Sequence, residues 1–533
     1  PIQLGERMAL KGEDGVDVCV LQGAANSPYP ILRSSGRSDL LIQNLKFQNM
    51  QRTSGNGGAI ELVNSGGTIQ GCVFYNNAAT DGGAVWISPP ATQRFTIQNN
   101  QFNSNSARYG GGLYVQAGAL SVDISNNTFR ENTATGGPGG GFYISGSQRG
   151  SILRNAFVKN VSTSGTGALG GGFGLSGSFT GNIQENTFVE NRAFTGGGFA
   201  ASQVVGSISK NLFYSNQATN IDIFNWGQGG GFYLSSCTQI TENVFSNNSN
   251  GAFSGSATAL ISRNLLSGNS GNGYGAMNAS CQGPISNNYF LYNAISGTDE
   301  LVGSSLRGNS PSIENNTFVG RGRLGEALVR VNSTSTTLIN NVFVGTDVAI
   351  NQQTDQSLFI QYNDFYSITN ILYVMSTPEG NNLTAIQNKY ANFRNNYNHA
   401  PGIVGENQVS GVWTQIPVYS PANNTTTLSD NTKSWVLNQW RGAMLNLGTT
   451  TDRRHFPILS NTNTQIIVLG NLTEVDIAYT NPYSIDDYHL ASDSLNVDRG
   501  TAAVILDDFE EMRDRQIRQI QQTFDSTLVR MSI

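Results

Sequence analysis

Three kinds of side chain in this 533-residue chain could support chemistry: carboxylates, histidines and cysteines. Two carboxylates held close together can cleave glycosidic bonds by acid–base catalysis. The aspartates between Leu41 and Tyr373 are instead far apart along the chain: Asp81, Asp123, Asp222, Asp299, Asp347, Asp355 and Asp364. Asp347 and Asp364 are the only near match to a pair, and we expect both to be solvated turn residues.

The three histidines, His399, His455 and His489, have no serine or cysteine nucleophile motif beside them, so we expect surface or packing roles. Asp486-Asp487 could hold an ion such as calcium, which prefers carboxylate oxygens. The calcium-binding Gly-Gly-x-Gly-x-Asp pattern is missing from the sequence. The sequence therefore predicts no catalytic residue and no cofactor, with calcium left open.

A repeat determines which of these side chains can meet. Asn-x-Phe recurs at intervals of about 27 residues, which is typical of a stacked repeat protein. The landmark residues are Phe47, Phe74, Phe102, Phe129, Phe157, Phe188, Phe213, Phe245, Leu266, Phe290, Phe318, Phe343 and Phe365. The asparagines two places earlier are Asn100, Asn127, Asn155, Asn186, Asn211, Asn243, Asn264, Asn288, Asn316, Asn341 and Asn363.

A unit this short cannot bury its own apolar face, so neighbouring units must stack. The pattern predicts a parallel β-helix of about thirteen or more coils. The landmarks would form an internal ladder. The asparagines would take left-handed backbone conformations and hydrogen-bond between coils. Glycine clusters such as Gly110-Gly111-Gly112 would provide bends and close approach of chains at another corner.

Composition and charge restrict the class of protein further. The chain has 62 Gly and 61 Asn, a formal net charge of −6, and only 12% charged residues. Gly and Asn disfavour helices, and no basic surface large enough for nucleic acid is indicated. No apolar run approaches the ~18–20 residues that span a bilayer. We expect an all-β protein without a transmembrane segment or nucleic-acid partner.

The four cysteines can be placed on the repeat. Cys19 and Cys72 lie about two coils apart, as do Cys237 and Cys281. Two coils correspond to roughly 9.6 Å, beyond the ~7 Å Cα limit for a disulfide. The spacing predicts four buried free thiols.

Phe74-Tyr75-Asn76-Asn77 and Gly57-Gly58-Ala59-Ile60 resemble the repeat of the polymorphic outer-membrane proteins over roughly residues 44–300. That resemblance implies a right-handed parallel β-helix at the bacterial surface. Tyr488-His489-Leu490 and Val497-Asp498-Arg499-Gly500 resemble the closing motif of pectate-lyase-like secreted β-helix proteins. Both resemblances imply an extracellular location.

The predicted organisation has six parts. These are an N-terminal coil or cap (1–40), a regular β-helix (41–372), its irregular continuation (373–424), a small β module (425–484), a closing coil (485–506) and an amphipathic helix (507–533). The helix presents an apolar stripe that could either cover the last coil or contact another subunit. The stripe consists of Phe509, Met512, Ile517, Ile520 and Phe524.

The aromatic residues after the glycine clusters should face outward. They could bind sugars or a partner chain, or they could be ordinary surface residues; they are Tyr114, Tyr143, Tyr233 and Tyr274. We expect an extracellular, non-enzymatic structural protein that self-associates head to tail as a fibre or matrix subunit. Two alternatives remain: a polysaccharide lyase or hydrolase, including a virus tailspike, and an adhesin passenger. The sequence does not separate an adhesin from a scaffold.

Overall fold

The computed structural model describes residues 1–490 with short gaps. The gaps are 6–7, 14–18, 117, 119, 164, 168, 220–228, 272–273, 296–303, 322–326, 333–334, 354–357, 376, 449–452, 476 and 478–480. The expected helix 507–533, with Phe509, Met512, Ile517, Ile520 and Phe524, lies outside the described residues, as does the part of the expected closing coil beyond Leu490.

Residues 2–397 wind into successive coils whose short strands pair in parallel with those of the coils before and after, which confirms the predicted all-β parallel β-helix. Each coil has three faces. The first face follows the glycine clusters and consists of Ile2–Gln3, Leu32–Ser35, Ile60–Val63, Val85–Ser88, Leu113–Gln116, Phe142–Ser145, Phe173–Thr180, Phe199–Ser209, Phe232–Thr241, Phe253–Ser262, Tyr274–Cys281, Ser304–Asn309 and Ala327–Val331.

The second face precedes the asparagines. Its strands are Ala9–Lys11, Leu40–Gln43, Gly67–Gln70, Arg94–Gln98, Ser121–Ser125, Gln148–Leu153, Ile183–Gln184, Ile285–Ser286, Ser312–Glu314, Thr337–Ile339, Phe359–Gln361 and Phe393–Arg394. In three central coils, the first-face strands Phe199–Ser209, Phe232–Thr241 and Phe253–Ser262 continue into the second face.

The third face carries the landmarks. Its strands are Val20–Gln22, Lys46–Gln48, Val73–Tyr75, Gln101–Asn103, Thr128–Arg130, Ala156–Val158, Thr187–Val189, Leu212–Tyr214, Val244–Ser246, Leu265–Ser267, Tyr289–Leu291 and Thr317–Val319. Val342–Gln352 and Asp364–Val374 begin on this face and continue onto the first. Minor corner strands are Ser106–Ala107, Thr133–Ala134, Val161–Ser162, Arg192–Ala193, Gln217–Ala218, Ser270–Gly271 and Ala294–Ile295, and Gly165–Gly167 is a 3-10 turn.

The predicted phenylalanine ladder is present inside the coils. Every landmark from Phe47 to Phe365 pairs in register with the next. Neighbouring rings stack at centroid distances such as 4.6 Å for Phe102 and Phe129. The predicted members Phe74, Phe102, Phe129, Phe157, Phe188, Phe213 and Phe245 are all fully buried. Offset stacking adds to the apolar burial that these rings contribute.

The predicted asparagine ladder is equally continuous. Nδ2 of Asn100 donates to Oδ1 of Asn127 at 3.0 Å and to the Ile69 carbonyl at 2.9 Å. Oδ1 of Asn127 also accepts the backbone amide of Asn100 at 2.9 Å. The same bonds recur at Asn127, Asn155 and Asn186 and continue to Asn396. A second ladder runs from Asn77 to Asn293 at the next corner.

The predicted left-handed backbone conformation of the ladder asparagines was wrong. The left-handed residue is not the ladder asparagine but the one before it, for example Asn99 (φ 56°) before Asn100. In the central coils this position holds charged residues, including Arg154, Glu185 and Lys210. The ladder asparagine instead points inward and uses its amide group to satisfy buried backbone groups. At the glycine corner, Gly110 has φ 58°, and a Cβ on Gly111 would lie 2.3 Å from the Gly140 carbonyl oxygen.

The last coil is closed by residues that the sequence did not single out. The strand Thr377–Pro378 forms a hairpin with the preceding strand. It is followed by the helix α1 (Leu383–Lys389), in which Ile386 is buried in the same core as Phe393. Asn382 caps the start of α1 by accepting the Ala385 amide. Within the described residues, α1 therefore serves as the cover that was expected of the C-terminal helix.

The cysteines are free, as predicted. Cys237 and Cys281 both pair with Ala257, which places them two coils apart. Cys72, Cys237 and Cys281 are buried and Cys19 is half-buried. Burial raises the pKa of the Cys72 thiol to about 11, so it stays protonated at neutral pH.

A seven-stranded antiparallel sheet follows the coils and is called the module here (residues 403–490). In spatial order its strands are Ile403–Val412, Pro482–Leu490, Met444–Asn446, His455–Asn461, Gln465–Leu469, Thr425–Ser429 and Val418–Ser420, and Leu472–Glu474 is a 3-10 turn. The module thus begins before residue 425. Residues 485–490, expected in a closing coil, form one of its strands because they pair with Ile403–Val412 and Met444–Asn446.

We predict that Asn127→Ala destabilises the protein by about 2–4 kcal/mol, since it removes the partner of the buried Asn100 backbone amide and a hydrogen bond to the Ile97 carbonyl, both in the preceding coil. Chemical denaturation followed by circular dichroism measures this change. Asn103→Ala is the matched control, because the Asn103 side chain is half-buried and, among the described residues, its only side-chain hydrogen bond is the 3.5 Å bond to Gln101. Equal effects of the two substitutions would contradict a structural role for the ladder.

Candidate functional site

An outward aromatic row lies on the first face. Trp86, Tyr114 and Tyr143 pair in register on consecutive coils and are half-buried. The centroids of Trp86 and Tyr114 are 6.4 Å apart, and those of Tyr114 and Tyr143 are 5.4 Å apart. Tyr109, which lies beneath the Arg108 guanidinium, approaches Tyr143 at 6.1 Å. These rings form one surface cluster.

The predicted row is only partly correct. Gly174 and Ala200 separate Tyr143 from Tyr233 in the register, so Tyr233 stands apart from the cluster. Tyr274 is buried rather than outward, because a register shift brings Asn278 into the row position instead. Trp86 was missed, although it follows Gly82-Gly83-Ala84-Val85 just as Tyr114 follows its own glycine cluster.

Asp347 and Asp364 do not form a catalytic pair, and they are not solvated turn residues. Both lie in strands and are buried. Asp364 pairs with Val342, whereas Asp347 lies five residues further along that strand. Asp347 accepts a hydrogen bond from Asn370, and Asp364 accepts the His399 amide. Asp347 therefore fixes the side chain of Asn370, and Asp364 fixes the backbone at His399.

The module lies against the third face. The outward residues on either side of the landmarks are apolar here and share a core with the module. Leu212 and Tyr214, for example, are buried, and the Tyr214 ring lies 6.1 Å from Phe456. The members from the coils are Ala156, Val158, Val189, Leu212, Tyr214, Val244, Leu265, Leu291 and Val319.

The sequence contains a signal for this interface. At three of the four landmarks before Phe157 both flanking residues are polar, as in Gln101-Phe102-Asn103, and Val73-Phe74-Tyr75 is the exception. From Ala156-Phe157-Val158 onward every landmark has at least one apolar or aromatic flanking residue, and some have two, as in Leu212-Phe213-Tyr214. A strand that is apolar on both sides is covered on both faces. The change at Ala156 could have predicted a covering element.

A polar cluster is buried within this interface. His455 Nδ1 lies 2.6 Å from Oγ of Ser267 on the third face, and His455 Nε2 lies 2.8 Å from Oδ2 of Asp486 in the module. All three side chains are fully buried. Asp486 also accepts the Asn407 backbone amide at 2.7 Å.

The cluster extends to charged groups at its edge. Arg453 pairs with Glu406 at 2.6 Å and lies over the Tyr292 ring at 4.1 Å. Tyr292 comes from the third face, and its hydroxyl donates to Glu406. Module and coils are thus joined by apolar packing and by a connected set of polar contacts.

A serine, a histidine and an aspartate in sequence are the elements of a nucleophilic triad. No sequence motif indicated a serine partner for this histidine, because it is the fold that brings Ser267 to His455 across 188 residues. The three groups are sealed between two packed surfaces, so a substrate cannot reach Ser267. Their arrangement therefore holds the module on the coils.

Burial opposes ionisation of Asp486, yet hydrogen bonds from His455 and the Asn407 amide, together with the charge of Arg453, hold its pKa below the usual range. The pKa of Asp487 is likewise lowered, against its own burial, by bonds from His489. Successive strand residues point to opposite faces, so Asp486 and Asp487 do not share one site. Among the described residues, no group of three or more His, Cys, Asp or Glu side chains is placed to hold a metal ion.

Residues 31–218 match the model of a family described as the right-handed β-helix region. These coils are a right-handed β-helix. The matched range covers the coils up to the minor strand Gln217–Ala218, and the same ladders continue beyond it. Neither the comparison with curated proteins nor that with solved structures gives a significant match. None of the helices in the described ranges has the length and apolar composition to cross a membrane.

We predict that His455→Ala loosens the module from the β-helix, because it leaves Asp486 buried without its main hydrogen-bond donor. Leaving a buried acceptor without its hydrogen-bond donor costs about 1–3 kcal/mol, and more when the acceptor is charged. Limited proteolysis combined with denaturation would show earlier cleavage in residues 403–490. His489→Ala, which removes a partly exposed partner of Asp487, is the control and should change stability by less than about 1 kcal/mol.

We also predict acid lability of the module. A carboxyl with a lowered folded pKa contributes stability above its unfolded pKa, about 3.9, and loses it as the pH falls through the folded value. Trp413, Trp435 and Trp440 are buried in the module and report its unfolding by fluorescence. Their emission should shift to the red below about pH 4. Unchanged emission down to pH 2 would contradict the role of Asp486.

Proposed function

We propose that this protein is an extracellular, non-enzymatic structural protein of the bacterial cell surface, a β-helical rod that carries its module along one side. The observation that supports this proposal most is the pair of continuous buried asparagine ladders. They tie each coil to the next without depending on ionisable groups. Such a rod keeps its structure across a wide range of pH and salt.

Charged side chains of the coils support the same interpretation. At the corners they pair between consecutive coils, as in Arg154 with Glu185 at 2.6 Å and Lys159 with Glu190 at 3.6 Å. These four charged groups thus stabilise the stacking of the coils. The resemblance to surface passengers of polymorphic outer-membrane proteins favours the extracellular location.

Head-to-tail filaments receive less support than separate rods. Filament growth through the C-terminal coil would require a second copy to bind where α1 now covers the core. We therefore propose rods that remain separate. A second candidate function, an adhesin, is favoured by the aromatic cluster of Trp86, Tyr114 and Tyr143.

Electron microscopy of the purified protein over rising concentrations tests the rod directly. We expect separate elongated particles and no turnover on a panel of acidic and neutral polysaccharides. Filaments would contradict the proposal of separate rods, and glycan cleavage would contradict a non-enzymatic role. Protease treatment of intact cells tests the location: loss of the protein's signal is expected, and full protection would contradict a surface position.

A further inference from the structure

A trough crosses the second face of the N-terminal coils. It combines two adjoining grooves that share Leu120. One groove is lined by residues that include Arg94, Thr68 and Thr96. The other is lined by residues that include Arg149 and Ser178. Hydroxyl and amide groups therefore accompany two arginines along the trough.

The two arginines lie on one outward row. Arg94 pairs with Ser121 in the next coil. The residue after Ser121, Val122, pairs with Gly150, the residue after Arg149, so Arg149 follows Ser121 in the same row one coil further on. Arg94 and Arg149 are thus two coils apart, a separation of about 9.6 Å at the usual strand spacing. Both are exposed.

These two cations differ from most others on the coils. Arg108 pairs with Asp81, Arg154 with Glu185, and Lys159 with Glu190. Arg94 and Arg149 form no ion pair or side-chain hydrogen bond with the residues that the structure describes. Each keeps a guanidinium group that can bind a carboxylate or sulfate in a bidentate manner.

The other charges near the trough argue against a densely charged polymer. Asp39 lines one groove, and Asp123 lies on the same face, where it accepts a hydrogen bond from Ser151 at 2.7 Å. These carboxylates would repel a phosphate backbone, which carries one charge per ~1.7 Å of duplex. A polymer with sparse negative charges and many hydroxyl groups fits better.

We propose that this trough binds an acidic glycan, with Arg94 and Arg149 contacting two of its carboxylate or sulfate groups. The hydroxyl and amide side chains between them exchange hydrogen bonds with the sugar hydroxyls. This inference adds a ligand to the rod, and its test is independent of the microscopy and of the enzymatic assays.

Fluorescence anisotropy with labelled hyaluronate, which carries one carboxylate per disaccharide, and labelled polygalacturonate tests the proposal on the full chain. At least one of the two should bind, and high salt should weaken that binding. Arg94→Gln combined with Arg149→Gln should weaken it by about tenfold or more, because two charge-assisted contacts are lost. The matched control is Arg192→Gln, an exposed arginine on a corner strand away from the trough. Circular dichroism confirms that the variants are folded.

Three results would overturn the proposal. The first is no binding of either acidic glycan by the wild-type protein. The second is unchanged binding by the double variant. The third is tighter binding of duplex DNA or polyglutamate than of both glycans, since that would identify the trough as a site for another class of polyanion.

Discussion

The hydrogen bonds of the buried asparagines are the interaction on which the structure depends. Each coil turns two corners at which backbone groups leave the sheets and face the core, where no water can bind them. One asparagine per corner solves this problem, because it satisfies two backbone groups of the preceding coil. Asn127, for example, donates its amide group to the Ile97 carbonyl and accepts the Asn100 backbone amide with its oxygen. The same residue also fixes the register between coils, which lets the phenylalanine rings stack.

The need for a buried asparagine at each of these corners also determines which positions of a coil can vary in sequence. With the ladder asparagine fixed, the left-handed residue before it points outward and can be charged, as Arg154 and Glu185 are. The outward positions of the strands vary from coil to coil. They carry aromatic rings on the first face, arginines on the second, and an apolar strip on the third where the module packs. One repeating core thus supports three different surfaces.

Most of the β-helix could be predicted from the sequence because its signals are local and repeated. The Asn-x-Phe pattern of Asn100 and Phe102 recurs in each later coil up to Phe365, with Leu266 as the one replacement of Phe. The period, the ladders and the free cysteines could therefore be predicted. Contacts between distant segments could not be predicted in this way. His455 meets Ser267 only because the module folds back along the coils, and no spacing in the sequence encodes that approach. The burial of Tyr274 depends on a single register shift.

The asparagine corners should hold the coils together as firmly as the strands do. Hydrogen–deuterium exchange of the backbone amides measures this. We predict that the amides of Asn100, Asn127 and Asn155, each bonded to the next asparagine, exchange as slowly as those of the flanking strands. Exchange of these amides at the rate of exposed loops would contradict it.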